Sequence, residues 1–533
     1  MNKEKQLNKK ATGVIAVAVM CSRVLGLIRE VLFNSLFGSS LMGIFLIAFR
    51  APNLLRDLFA EGALSISFVT VFSQKLETEG QVSAWALASK MLTLSIVLMS
   101  IITLLGIFFA DSLIHILVPY LLPSDMKTVI MLTQIMYPFI LLVSLAAIMM
   151  GILNAKNVFG IPALASSFFN IGSIFGGVTL GWYLDPDFGS RALIGLAAGT
   201  LLGGLLQLLI QLPSLKRLNF RFKFDIHWKD DSLRKVLVLT VPAIIAASAV
   251  QINVLINSVF ASYIGKEAIT WLNSAFRLMQ FPLGMFGVAV ASITLPVISK
   301  IAVSGDDALF GRTLNQSIRL AIFLTLPMAF ILWLFANPII SLIYEHGKFY
   351  QSDALQTAVA LQYYSLGLVA YSCIKVLSPA FYSINKKWFP MFVSFISIFL
   401  NLLLNYLLIF KFQMGHYGLA ISTAVSANFN VFVLYCLMSH WYNLNQRQIV
   451  MDLLRCGVVC VFLGSTCTFF IGHNTFLFNP LSPFLIRCII LFVALACFMS
   501  AYLFLTSYFK IEFARDLLNF VFVKLRRTKV VVS

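Results

Sequence analysis

The chain has 533 residues, 60% of them hydrophobic and only 11% charged, where a soluble protein carries roughly 25% charged residues. That balance excludes a soluble enzyme. The apolar runs are continuous rather than alternating, which excludes a β-barrel and leaves an all-α polytopic membrane protein. The net charge of +18 does not imply a nucleic-acid partner, because the basic residues lie mostly in short loops between apolar runs, where they orient the chain.

The basic start MNKEKQLNKK leads into an apolar stretch that lacks a small-residue cleavage site and runs on to Arg23. It reads as a start that stays in place. A span needs about 20 apolar residues. About fourteen are expected, near 11–37, 41–73, 84–110, 127–153, 159–184, 190–212, 233–263, 268–299, 313–336, 353–384, 388–411, 415–440, 449–472 and 482–509. The loop 111–126 carries a partly apolar stretch suited to the membrane interface. With the N-terminus inside, the inside segments collect clusters such as Lys216, Arg217, Arg221, Lys223, Lys229, Arg234 and Lys235. The outside loops hold only scattered basic residues, so both termini are expected in the cytoplasm. Lys90 and Lys375 sit toward cytoplasmic ends and read as snorkelling residues. The eight cysteines fall in apolar segments without CxxC spacing and read as small buried hydrophobes. The tail YFKIEFARDLLNFVFVKLRRTK alternates apolar and basic faces, as an amphipathic helix on the inner surface would.

Sliding the chain by 227 residues exposes an internal repeat. Ala48-Phe49-Arg50 falls on Ala275-Phe276-Arg277, Phe59 on Phe286, Phe33 on Phe260 and Gly38 on Gly265. A second echo pairs NAKNVFGIP from Asn154 with NKKWFP from Asn385. Two pseudo-symmetric six-helix lobes follow, related by an axis along the membrane normal, as in transporters that rock one bundle against another. The expected division is 1–228 for the first lobe and 229–448 for the second. Two extra spans fill 449–509 and a cytoplasmic tail 510–533.

The first two spans hold Arg23, Arg29, Glu30, Arg50, Arg56, Asp57 and Glu61, and the eighth holds Arg277. Each Arg or Lys at mid-span costs about 2.5–3.5 kcal/mol on insertion scales, so such charges face a protein interior or a wet cavity. Arg23 and Glu30 share a helix face, as do Arg50, Asp57 and Glu61. The last three suit structural pairing. Arg23, Arg29, Arg56 and Arg277 leave a positive surplus suited to an anionic ligand, since a guanidinium fork grips phosphate oxygens in pairs. Pro52 is expected to break or bend its span just before Asn53. Gly62, Gly284 and Gly287 are candidates for flexibility or close packing. There is no P-loop, HExxH or nucleophile elbow, so no enzyme and no cofactor is expected. A gradient or the membrane potential is left to drive transport. Asn401 and Asn405 are the weak candidates for ligating a monovalent cation.

The motifs SRVLGLIRE (22–30), AFRAPNLLRDLFAEGALS (48–65), FRLMQFPLGMFGVA (276–289), YEHGKF (344–349) and IKVLSPAFYS (374–383) resemble the MurJ (MviN) family of lipid II flippases, over essentially the whole chain. That family belongs to the multidrug/oligosaccharidyl-lipid/polysaccharide exporter superfamily. The resemblance implies two lobes in a V around a central cationic cavity, with two C-terminal helices forming a lipid-tail groove. It implies translocation of lipid II, an undecaprenyl diphosphate bearing a disaccharide-pentapeptide, across a bacterial cytoplasmic membrane during peptidoglycan synthesis. Membrane lipids and cell-wall synthesis proteins are the implied partners. The family's essential arginines fall on Arg23, Arg29, Arg56 and Arg277, and its cavity positions on Ser22, Asn53 and Glu61. The sequence departs at Gly43, where an acid is common, at Asp57, where a second Arg is common, and at Gln280, which replaces an acid. A flippase of another lipid-linked oligosaccharide is the alternative. A multidrug exporter usually takes cations, which surplus arginine would repel. A membrane glycosyltransferase would need an acidic catalytic residue in a large outer loop, and these loops are short.

Overall fold

A computed structural model of the protein describes residues 2–60, 63–227, 230–473 and 483–519. It divides into two compact units, Met1–Thr270 with His346–Phe349, and Trp271–Glu345 with Tyr350–Ser533. Helices up to Ile264 belong to the first: α1 (Asn2–Leu55), α2 (Ala63–Thr78), α3 (Gln81–Phe108), α4 (Ala110–Leu117), α5 (Pro123–Met136), α6 (Phe139–Ala155), α7 (Gly160–Leu184), α8 (Ala192–Leu209), α9 (Leu212–Arg217) and α10 (Asp231–Ile264). The next, α11 (Lys266–Pro282), carries the chain into the second unit. There follow α12 (Val288–Ser304), α13 (Asp307–Leu334), α14 (Ala336–Tyr344), α15 (Gln351–Ser365), α16 (Leu368–Ser383), α17 (Trp388–Tyr406), α18 (His416–Tyr442), α19 (Gln446–His473) and α20 (Phe484–Tyr508).

Eleven described helical runs are long and apolar enough to cross a membrane, or twelve if α15 and α16, which meet at 45°, form one bent span. The fourteen expected from sequence differ for two reasons. The first two spans are one continuous run, and within α10 only Gln251–Ile264 registers, as a shorter apolar helix. At 54 residues, α1 as a straight rod would be about 80 Å long, against a hydrocarbon core of about 30 Å. It is two arms, joined at Gly38 with φ 73° and ψ 172°, a conformation L side chains avoid. The bend is braced by part of the YEHGKF motif. The Lys348 N–H donates to the Ser35 carbonyl at 2.7 Å, which is how His346–Phe349 comes to belong to the first unit.

Pro52 does not break the helix where expected. The run continues to Leu55 and then opens into a π-helical turn, Arg56–Ala60. Pro52 has no N–H for the Ala48 carbonyl. The Thr133 hydroxyl of α5 lies 3.2 Å from that carbonyl and 2.7 Å from the Val129 carbonyl of its own helix, so its single proton is shared between them, and the helix runs on through Pro52.

The repeat is written into the backbone of both units. The second unit has its own π-helical turn at Leu283–Gly287, 227 residues after Arg56–Ala60. Gly265, still within the first unit, has a positive φ like Gly38, at the same offset. The second echo needs a correction: Asn157 and Asn385, not Asn154 and Asn385, are the matched turn residues, both at φ 59°. Each is followed by the same wide bond, Val158 N–H to Leu153 and Lys386 N–H to Phe381, both 2.9 Å. Asn tolerates this left-handed helix stop better than most residues.

Each unit has its own apolar core. Phe68, Phe72, Leu87, Met91 and Ile152 centre one in the first, and Phe310, Leu314, Leu377, Phe381 and Met438 one in the second. Helices α7 and α8 touch backbone to backbone: a Cβ on Gly199 would lie 2.1 Å from the Gly177 nitrogen. Small residues permit that approach where lipid supplies no hydrophobic drive. All eight cysteines are free, but Cys21, Cys436 and Cys497 are exposed rather than buried. In an apolar solvent an exposed thiol sits as comfortably as an exposed Leu. Of the tail, residues 520–533 lie outside the described residues; before them, Ile511 and Ala514 are buried within the second unit.

Candidate functional site

In the first unit the charged residues gather along α1 and the turn that ends it. Asp57, the first acid of the π-helical turn, is the hub. Its Oδ1 accepts from Arg56 Nη2 at 2.9 Å and Nε at 3.2 Å. Its Oδ2 accepts from Asn53 Nδ2 at 3.4 Å and from Gln251 Nε2 of α10 at 3.1 Å. Asn53 reaches because it lies one helical turn earlier. Gln251 is the member that sequence reasoning missed. A lone amide in an apolar span carries little signal without knowing what it faces. The Arg56 and Asp57 side chains are 22% and 26% exposed, so the pair is open to whatever fills the adjoining space.

The upper arm of α1 is backed by two adjacent residues of α7. Asn170 Nδ2 donates to the Ser22 carbonyl at 3.1 Å. The Arg29 guanidinium lies 4.9 Å from the centre of the Phe169 ring. The ring's negative face contributes about 0.5–2 kcal/mol to such a cation without neutralising it. Arg29 is half-buried, Arg23 exposed and Glu30 buried. Arg50, read from sequence as structural, lines a small void with Leu117, Val118 and Ser258. Glu61 and Gly62 lie outside the described residues.

Arg277 belongs to the second unit. On α11, Leu272, Ala275, Leu278 and Met279 form the buried face at helical spacing. Arg277 and Gln280 fall off that face, half-buried and exposed respectively. The π-helical turn beyond them packs tightly on α16: a Cβ on Gly287 would lie 2.9 Å from Ser372 Oγ. Gly284 sits half-buried in the same turn.

Asn401 and Asn405 hold each other and the next helix. Asn405 Nδ2 donates to Asn401 Oδ1 at 3.1 Å, Asn401 Nδ2 to Ser422 Oγ at 3.3 Å, and Ser422 Oγ to Asn405 Oδ1. All three residues are fully buried. The closed ring pins α17 to α18, and it leaves these amides engaged with one another. Among the described residues no group of three or more His, Cys, Asp or Glu could hold a metal ion.

The second unit also holds an arginine on an apolar helix that the sequence reading passed over. Arg319 Nε donates to Asp452 Oδ2 at 2.6 Å, with Glu512 3.5 Å from Nη1. The pair ties α13 to α19. The signal was present, a lone Arg in the span 313–336 and a lone Asp opening 449–472, but nothing in sequence joins residues so far apart. Lys90 is likewise not a simple snorkelling residue. It pairs with Asp230, the N-cap of α10, at 2.6 Å, while Lys375 is exposed.

The helix order is that of a multi-span transporter. A solved inward-facing multidrug resistance MATE family transporter of the MOP superfamily matches with TM-score 0.67 and 16% identity, over 82% of this chain and 98% of that one, which shows a shared fold. A solved structure of the lipid II flippase MurJ in an inward closed conformation matches at TM-score 0.75 and 26% identity, over 95% of this chain and 99% of that one. The probable lipid II flippase MurJ of Buchnera aphidicola subsp. Acyrthosiphon pisum is 35% identical over 439 residues, 82% of this chain and 83% of the relative. The lipid II flippase MurJ of Burkholderia cenocepacia is 33% identical over 424 residues, 78% and 81% of the two chains. The family described as lipid II flippase MurJ matches residues 33–489, and the chain belongs to that family.

Proposed function

We propose that this protein is a transporter, not an enzyme, that carries lipid II from the inner to the outer leaflet of a bacterial cytoplasmic membrane. The observation that carries the reading is the half-open setting of Arg29 and Arg56 on α1 and its turn. Membrane-depth guanidinium groups are retained there without being sealed into the core. The site residues are Arg23, Arg29 and Arg56 from the first lobe and Arg277 from the second. They hold the diphosphate, while Ser22, Asn53 and Glu61 shape the wet wall around sugars and peptide. Asp57 keeps Arg56 in place until an anion competes for it. The lobes, 1–228 and 229–448, alternate access to the two leaflets. Residues 449–509 form the groove for the lipid tail. Both termini lie in the cytoplasm. The membrane potential or a monovalent cation sets direction, with no cofactor, and membrane lipids and cell-wall synthesis proteins are the neighbours.

The test is transport in liposomes containing lipid II, with and without an inside-negative potential. Movement in the wild type, abolished in folded Arg29→Ala, Arg56→Ala and Arg277→Ala, supports the reading. Normal movement in all three variants would remove the arginines from the mechanism. Movement of an unrelated lipid-linked oligosaccharide at the same rate would broaden the substrate class.

A further inference from the structure

The first unit holds a cavity of about 790 Å³ away from the arginines of α1, within the size range of small-molecule sites. Leu92 of α3, Leu145 and Met149 of α6, Leu212 of α9, and Phe220 and Phe222 wall it, and Lys216 is its one charged lining residue. Its outer wall is unusual. After α9 the chain turns at Asn219, with φ 59°, into the non-helical run Phe220-Arg221-Phe222-Lys223-Phe224-Asp225-Ile226. The N–H of Lys223 donates to Ser89 Oγ at 3.4 Å and that of Asp225 to Thr93 Oγ1 at 3.2 Å. Two residues of extended chain advance about 6.6 Å, and one four-residue step along a helix about 6 Å. Alternate N–H groups therefore meet successive turns of α3. The run is fastened along α3 in register, with Phe220 and Phe222 set against the cavity. Phe222, Phe224 and Ile226 remain exposed, with Arg221 exposed before them and Lys223 between them. Aromatic and basic residues interleaved in this way suit the boundary between hydrocarbon and headgroups.

We infer that this cavity takes one acyl chain of an anionic glycerophospholipid, with the headgroup phosphate at Lys216. The apolar walls match the chain. Lys216 in the lining matches the charge, and Arg217, Arg221 and Lys223 are exposed nearby in the chain. The same clustering of Lys and Arg assigns this end to the cytoplasmic leaflet, where anionic lipids attract basic segments. The bound lipid clamps the 220–226 run and α9 onto α3 and α6. The inference does not depend on the transport reading, and the bound lipid is not cargo.

The full chain is placed in phosphatidylcholine nanodiscs with a minor fraction of phosphatidylglycerol bearing a photoactivatable group on its acyl chain. A parallel set carries the group on phosphatidylcholine. Phosphatidylglycerol is expected to label the peptides around Leu145–Met149 and Leu212–Phe222 about fivefold more than phosphatidylcholine. Lys216→Gln should erase that preference without changing the melting temperature, and Met149→Trp should abolish labelling of both. If Met149→Trp does not fold, Leu212→Trp, placed at the 41% exposed rim, fills the mouth instead. Equal labelling by the two lipids, or labelling undiminished by either tryptophan, overturns the site. So does displacement of the label by added lipid II, which would assign the cavity to the transported lipid.

Discussion

Two arginine–aspartate pairs sit on or at the end of apolar helices in this protein, and they differ in what surrounds them. Arg319 and Asp452 are 9% and 7% exposed, enclosed where α13 meets α19. Arg56 and Asp57 are 22% and 26% exposed, on a π-helical turn. The first pair is almost entirely withdrawn from its surroundings. Its attraction offsets the cost of that withdrawal only while both partners are present. The second retains access for a competing anion. An arginine in an apolar span is therefore not by itself a mark of function. How far its partner shuts it off from the surroundings separates the structural use from the binding use.

The sharpest way to break the contrast is to remove one partner from each pair. Arg319→Ala leaves Asp452 buried with its principal partner gone. It should cost about 3–5 kcal/mol of stability, read as a large drop in melting temperature of the protein in detergent. Replacing both, Arg319→Met with Asp452→Leu, should recover most of that loss. A double variant as unstable as Arg319→Ala would mean that the network with Glu512, not the pair, holds the helices.

Gly43 offers a test of middle size. A Cβ there would lie 2.1 Å from the Lys266 carbonyl oxygen, so backbone occupies the space a side chain would need. Lys266 instead directs its ammonium to Asp125 of α5 at 2.7 Å. Restoring an acid with Gly43→Asp should destabilise the protein by about 1–3 kcal/mol through overpacking, seen again in the melting temperature. A neutral result would show that α1 shifts freely against the 265–266 segment.

The open pair should lose function where the closed one loses stability. Arg56→Ala should cost about 1 kcal/mol or less in stability while abolishing lipid II movement. Asp57→Asn removes the competing charge from Arg56. It should tighten binding of inorganic pyrophosphate about five- to tenfold, the effect of ~1 kcal/mol of screened attraction, measured by titration calorimetry. Unchanged binding would place the anion site elsewhere.

These cases show what could be read ahead of the structure. The helical class, the repeat offset and the charged stretch of α1 were legible, because span length, charge placement and fixed-offset matches are properties of the chain alone. The wide turn at 56–60 was not legible, since Pro52 draws attention to itself while the helix runs on past it to Leu55. Gln251, Asp452 and Asp230 were missed as partners for one reason. Each lies over a hundred residues from the cation or carboxylate it meets, and no periodicity encodes such a meeting. Gly43 could be marked as a departure, but the Lys266 carbonyl that explains it is a tertiary fact.

Lys90 and Asp230 give the smallest and most selective prediction. Partial burial works to raise the Asp230 pKa, but it is outweighed by the Lys90 ammonium and by the N–H groups of Leu233 and Ser232, so the group sits below its ordinary 3.8. A depressed carboxylate contributes stability that is fully present above the unfolded value and is lost as pH falls through the folded one. Between pH 7 and 5 this tie between α10 and α3 should therefore be constant. Below about pH 3.8 it should weaken, as the carboxyl takes a proton and releases Lys90. The Asp230→Asn protein should have a slightly lower melting temperature at neutral pH and a smaller further decline on acidification than the wild type. Parallel declines in the two proteins would show that other carboxylates, not the cap of α10, govern acid sensitivity in the first unit.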